Sequence, residues 1–162
     1  MSHSKKIVLL GHFGVGKTSL IRRYVDQAFS EDYIVTLGVQ VKKKTLEIAG
    51  IKINIIIWDL EGNTSVSKAR KSYLLGSHGF VYVFDVSRPE TYEHLSSEIA
   101  LLRESFPGLP IQVIGNKKDL IVDKEMQDFF KSEKFSKTIF TSAKEDQNVA
   151  DAFIEITKKT IV

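Results

Sequence analysis

Residues 11–18 read Gly11-His12-Phe13-Gly14-Val15-Gly16-Lys17-Thr18, a match to G-x-x-x-x-G-K-[ST]. An apolar run, "KKIVLLG", precedes them, and "KTSLIRRYVDQAF" follows with Leu20, Ile21, Tyr24 and Val25 at helical spacing. A strand, a glycine-rich loop and a helix therefore come in the order that this motif needs. Glycines let successive backbone N–H groups turn inward around phosphate oxygens, and the helix N-terminus adds the positive end of its dipole. Gly14, Val15, Gly16, Lys17, Thr18 and Ser19 are the candidate phosphate-binding residues, with Lys17 reaching the outer phosphates and the Thr18 hydroxyl available to Mg²⁺. Ordinary composition would produce the pattern by chance in roughly one chain of this size in two hundred.

Working outward, short apolar runs alternate with amphipathic stretches. "GVQVKKKTLEIAGIKINIIIWD" reads as two strands joined at Ala49-Gly50, the first alternating like an edge strand and the second covered on both faces. Lys42-Lys43-Lys44 falls on the first, where lysine discourages unwanted pairing; a phosphate-rich or acidic partner is the competing reading. "TSVSKARKSYLLG" reads as a weak polar helix, "GFVYVFDV" as a buried strand, and "PETYEHLSSEIALLRESF" as a helix with Pro89 near its start. Then come a strand "PIQVIGN", a helix "DKEMQDFFKSEKF", a strand "KTIFTS" and a helix "NVADAFIEITKKT". Tyr and Phe residues fall mostly on these strands and helix faces, as core. The fold expected is three-layer α/β, with a six-stranded, mostly parallel sheet carrying one antiparallel edge strand. Ligands then bind beyond the carboxyl ends of the strands.

The loops at those ends carry the remaining chemistry. "IKINIIIW" drops abruptly into "DLEGN", residues 59–63, which would deliver Asp59 to a metal and Gly62 to a terminal phosphate. "PIQVIG" leads into Asn116-Lys117-Lys118-Asp119. An aspartate matches the adjacent N1–H and amino donors of guanine, a pair that adenine lacks. "TSAKE" follows the next strand, and Ser142, Ala143 and Lys144 complete a base pocket, the Ala143 N–H facing the guanine carbonyl.

These four pieces in this order resemble the Ras superfamily of small GTPases, and the flanking text is most similar to its Rab branch. "GVGKTSLIRRYV", "YIVTLGV", "IIIWD", "FVYVFDV" and "GNKKDL" carry the resemblance, which spans Lys5 to the last helix. It implies a small G-protein domain over residues 1–162 that binds GTP and GDP with Mg²⁺, hydrolyses GTP and changes shape with the terminal phosphate. It further implies that Thr36 ligates Mg²⁺ beside Thr18 and Asp59, and that Phe29 leans on the guanine edge. One switch would lie around Thr36 and the other from Asp59 to about Tyr73. Val41, Trp58 and Tyr73 fall where the family presents effector and regulatory proteins with an apolar patch, although the first is usually aromatic; for Trp58, core packing is the competing reading.

Two departures bear on turnover. Family members usually read "DTAGQ" where this chain has "DLEGN", so Asn63 stands, one methylene short, for the glutamine that orients the attacking water. Glu61 adds a carboxylate beside the terminal phosphate and is the alternative water-orienting base, with Lys17 and Gly62 completing the candidate catalytic set. Phe13 replaces glycine or a small residue where an arginine finger would approach. Slow hydrolysis is the expectation; a nucleotide-locked interaction module is the alternative, and an ATP-using P-loop enzyme is disfavoured by Asp119.

Composition is consistent with this and bounds it. The 162 residues carry 23 Lys and Arg against 20 Asp and Glu, a net charge of +3, so the balance is only mildly basic and no nucleic-acid partner is expected. The absence of cysteine excludes disulfides, thiolate metal sites and a prenyl anchor within these residues, and suits a reducing, cytoplasmic setting. His3, His12, His78 and His94 lack metal-ligand spacing. A monomer is expected.

Overall fold

A computed structural model describes residues 3–29, 38–60 and 66–161. Strands β1 (His3–Gly11), β2 (Val39–Ile48), β3 (Ile51–Leu60), β4 (Gly79–Asp85), β5 (Ile111–Asn116) and β6 (Thr138–Phe140) form one sheet in the order β2-β3-β1-β4-β5-β6. Only β2 runs antiparallel, to β3. The helices are α1 (Lys17–Asp26), α2 (Lys71–Leu74), α3 (Leu95–Ser105), α4 (Lys124–Phe130) and α5 (Val149–Thr160). This is the α/β architecture expected, with the antiparallel strand at the edge.

The hairpin turn is tight. Ile48 pairs with Ile51, and Ala49 and Gly50 between them both have positive φ, 51° and 79°. A two-residue loop of that geometry matches the twist of the flanking strands. On the edge strand β2, Lys44 Nζ donates to the Tyr24 carbonyl at 2.8 Å and Lys42 lies 3.8 Å from Asp26, so two of the three lysines fasten the edge to α1.

Three expected helices are shorter than their patterns. The stretch around 66–76 forms a 3₁₀ turn, Val66–Lys68, and the four-residue α2. In place of a helix from Pro89, a 3₁₀ turn at Pro89–Thr91 precedes α3. Thr91 explains the break: its hydroxyl donates to the Arg88 carbonyl at 2.7 Å and accepts from the Asp85 N–H at 2.9 Å. Side chains that bond to nearby backbone in this way compete with helical continuation. The helix expected over 123–135 likewise ends at Phe130 and is followed by a 3₁₀ turn, Glu133–Phe135.

Two cores flank the sheet. One joins Ile7, Leu9, Ile53, Ile55, Ile57, Val81 and Val83 to α1 and α5, where Tyr24 stacks on Phe153 with centroids 4.6 Å apart. The other centres on Phe84, fully buried among Tyr92, Phe130, Phe135 and Phe140. Gly115 of β5 lies against the same rings, and a Cβ there would meet Phe140 and Phe84 at 2.8 Å. Among the described residues, no helix is long and apolar enough to cross a membrane.

Phe84 is fully buried and meets four other rings of that second core. Phe84→Ala is expected to cost about 3–5 kcal/mol through lost transfer energy and a residual cavity. Urea unfolding of the variant and the native chain measures it.

Candidate functional site

The parallel strands β1, β3, β4 and β5 all end at one rim, at Gly11, Leu60, Asp85 and Asn116. Lys17 and Asp119 follow β1 and β5, so the two halves of the expected site lie on the same side of the sheet.

The first loop wraps back on itself. Gly16, at φ 101°, precedes α1 with no side-chain cap, and the first turn of the helix contains no acidic residue. The N–H groups that open α1 therefore lack a capping side chain, which favours an anion. A side chain at 16 would place its Cβ 2.3 Å from Asn116 Nδ2, so only glycine lets the loop approach β5 this closely. Lys17 is buried, its Nζ donating to the Gly11 and His12 carbonyls at 3.0 and 3.1 Å. Burial pushes its ammonium pKa down to about 8, and the Asp59 carboxylate pulls the other way. Asp59, nearly inaccessible at the end of β3, accepts a hydrogen bond from the Thr18 hydroxyl at 2.5 Å.

Asn116 joins the loops. Its Nδ2 donates to the Val15 carbonyl at 3.0 Å, and its Oδ1 accepts from the Thr141 hydroxyl at 3.0 Å and the Ala143 N–H at 3.3 Å. The last bond is long for N–H···O. Lys117 adopts φ 66°, and its Nζ lies 2.8 Å from Asp85 Oδ2 without hydrogen-bond angles, a chiefly Coulombic contact. Ser142, fully buried, donates from Oγ to Asp119 Oδ1 at 2.8 Å, orienting a half-buried carboxylate. Lys144 is exposed.

Sequence reasoning missed three residues. Arg23 of α1 reaches the Ala143 and Lys144 carbonyls with Nε and Nη2 at 2.7 and 2.8 Å, and its Cζ lies 5.6 Å from the Phe29 ring centroid. Arg88 donates from Nη1 to the Phe13 carbonyl at 2.8 Å, holding the tip of the first loop. Asp85 is the buried partner of Lys117. Only the strand-end position of Asp85 is a signal; the two arginines carry none. The apolar patch is partly assembled: Val41 pairs across the strands with Trp58, and the Trp58 and Tyr73 centroids are 6.1 Å apart. Val41 is 49% exposed, whereas Trp58 is half-buried, packs against the second core and lies under Lys6 Nζ at 3.8 Å. Thr36, Glu61, Gly62 and Asn63 lie outside the described residues.

The Ras family model matches residues 6–162. GTP-binding protein ypt1 of Schizosaccharomyces pombe is 31% identical over 160 residues, 95% of this chain and 78% of that protein. Ras-related protein Rab-1A of Dictyostelium discoideum is 34% identical over 155 residues, 92% of this chain and 76% of that protein. Ras-related protein Rab-13 of Bos taurus is 30% identical, with 99% and 81% covered. With nearly its whole length matched and Rab proteins among its relatives, the chain belongs to the Ras family as a Rab-like small GTPase.

Proposed function

We propose that residues 1–162 form a single switch domain that binds GTP and GDP with Mg²⁺ and hydrolyses GTP slowly. The observation carrying this reading is the Asn116 clamp, which holds the phosphate loop and the base loop together at one rim. Guanosine polyphosphate is the ligand that suits both ends, and ypt1 is named as GTP-binding.

At the phosphate end, Gly14, Val15, Gly16, Lys17, Thr18 and Ser19 take the phosphates. The loop carbonyls that now hold Lys17 are replaced by phosphate oxygens, which also favour its charged form. At the base end, Asp119, set by Ser142, reads N1–H and the amino group; the Ala143 N–H and the neighbouring Lys144 serve the 6-oxo side. Asn116 and Lys117 brace the loop, and Phe29 covers the base edge.

The donor set fits Mg²⁺. Thr18 and Asp59 offer hard oxygen ligands in mutual contact, and among the described residues no cluster of three His, Cys, Asp or Glu forms an all-protein metal cage. Mg²⁺ commonly takes one or two protein oxygens and completes its shell with water and phosphate. Thr18, Asp59 and, in the GTP state, Thr36 would hold it, and when bound it neutralises charge on the phosphates. Val41, Trp58, Tyr73 and the segment around Thr36 present the nucleotide state to effector and regulatory proteins.

Hydrolysis requires an oriented water in line with the terminal phosphate. Asn63 supplies the amide from a shorter side chain, Gly62 offers its N–H to the phosphate, and Glu61 is the rival base. Phe13 is 42% exposed and its backbone is held by Arg88, so its ring guards the route of any activating arginine. That same observation favours the second reading, a nucleotide-locked interaction module.

Three measurements test the proposal. Asp119→Ala removes two charge-assisted hydrogen bonds and should weaken GDP binding roughly 100-fold while hardly altering ATP binding. EDTA should accelerate GDP release from the native chain, and unchanged release would remove the magnesium assignment. In single-turnover assays Asn63→Gln, alone or with Phe13→Gly, should speed GTP hydrolysis by up to about 100-fold. No gain in either would overturn the simple account of slow turnover, and loss of residual hydrolysis in Glu61→Ala with GTP binding intact would assign the chemistry to Glu61.

A further inference from the structure

We infer that Arg23 is a positioning residue for recognition of the 6-oxo group of guanine. The inference rests on the proposed base site, and adds to it a side chain from a helix whose other end opens the phosphate loop.

Arg23 Nε donates to the Ala143 carbonyl at 2.7 Å, and Nη2 to the Lys144 carbonyl at 2.8 Å. One rigid guanidinium thus holds two successive carbonyls. Peptide units are planar and trans, so the N–H of Lys144 shares a plane with the Ala143 carbonyl and points the opposite way. Fixing that carbonyl on Arg23 turns this N–H away from the arginine. A cation at the carbonyl also polarises the unit, making its N–H a stronger donor. The preceding N–H, that of Ala143, is located by Asn116 Oδ1 at 3.3 Å, a separation long enough to share the proton with a second acceptor. Two clamps, one on each side, therefore set the donor pair Ala143–Lys144.

The same guanidinium lies 5.6 Å from the centroid of Phe29, within the range of a cation–π contact. Arg23 thus touches both the base loop and the side chain proposed to cover the base edge. Neither residue is fixed to the other by any strand pairing, because Phe29 follows α1 and Ala143 follows β6. Lysine at 23 would keep the charge but not the fork.

The test compares equilibrium binding of three nucleotides to the full chain. GDP is complete, IDP keeps the 6-oxo group but lacks the amino group, and 6-thio-GDP keeps both donors but offers a poor sulfur acceptor. Arg23→Gln should weaken GDP and IDP by roughly tenfold each and 6-thio-GDP by only about twofold, the size of one misplaced hydrogen bond. The ratio of GDP to 6-thio-GDP affinity therefore shrinks, while the ratio of GDP to IDP is unchanged. Arg23→Lys should show the same pattern, attenuated, and provides the reading if Arg23→Gln folds poorly. Equal losses for all three nucleotides, or no loss, would overturn the inference, since general loosening of the pocket does not distinguish oxygen from sulfur. A native chain indifferent to the sulfur would also overturn it while leaving Asp119 in place. Native binding that fails to separate GDP from IDP would instead remove the Asp119 reading on which it stands.

Discussion

The amide of Asn116 is the point on which the rim of the sheet depends. It is buried, it sits at the end of β5, and it engages two segments remote in sequence, one through Val15 and one through Thr141 and Ala143. Leaving a buried donor or acceptor unpaired costs about 1–3 kcal/mol. Any displacement of the phosphate loop or of the base loop would expose that cost, so the two loops hold their separation. Gly16 completes the constraint from the other side, because a methyl group there would collide with the same amide.

Electrostatics along the rim is arranged in pairs of opposite sign, each with a buried carboxylate. Asp85 faces Lys117, and Lys17 lies in the field of Asp59. An isolated buried charge would be expensive, and each partner offsets part of the other's desolvation. Lys17 is the less well settled, since its bonds go to neutral carbonyls and its pKa is lowered. A polyanion relieves this strain more fully than water or carbonyls do. In the proposed reading, the burial of Lys17 thus favours the phosphate end of the site independently of the base end.

Much of this was legible in the residues. The phosphate loop, the Ala49-Gly50 hairpin and the order of strands followed from local chemistry: glycines at fixed offsets, a turn needing positive φ, and apolar runs of strand length. The strand ends likewise announced Asp59 and Asn116. What escaped was non-local. Thr91 breaks a helical pattern by bonding to the backbone of Arg88 and Asp85, a competition that periodicity does not register. Arg23 lies on the polar part of an amphipathic helix and is separated by about 120 residues from the carbonyls it holds. The alternation of β2 pointed to an edge strand, which it is, yet gave no sign that Lys42 and Lys44 lean on α1.

Gly115 is wedged between the rings of Phe84 and Phe140 and is the residue immediately before Asn116. Its protons lie in the magnetic anisotropy of those rings, so ring currents are expected to displace their resonances in an NMR spectrum. A native reporter thus sits one peptide from the clamp and needs no label. Its shift is expected to follow the seating of β5 against the aromatic core.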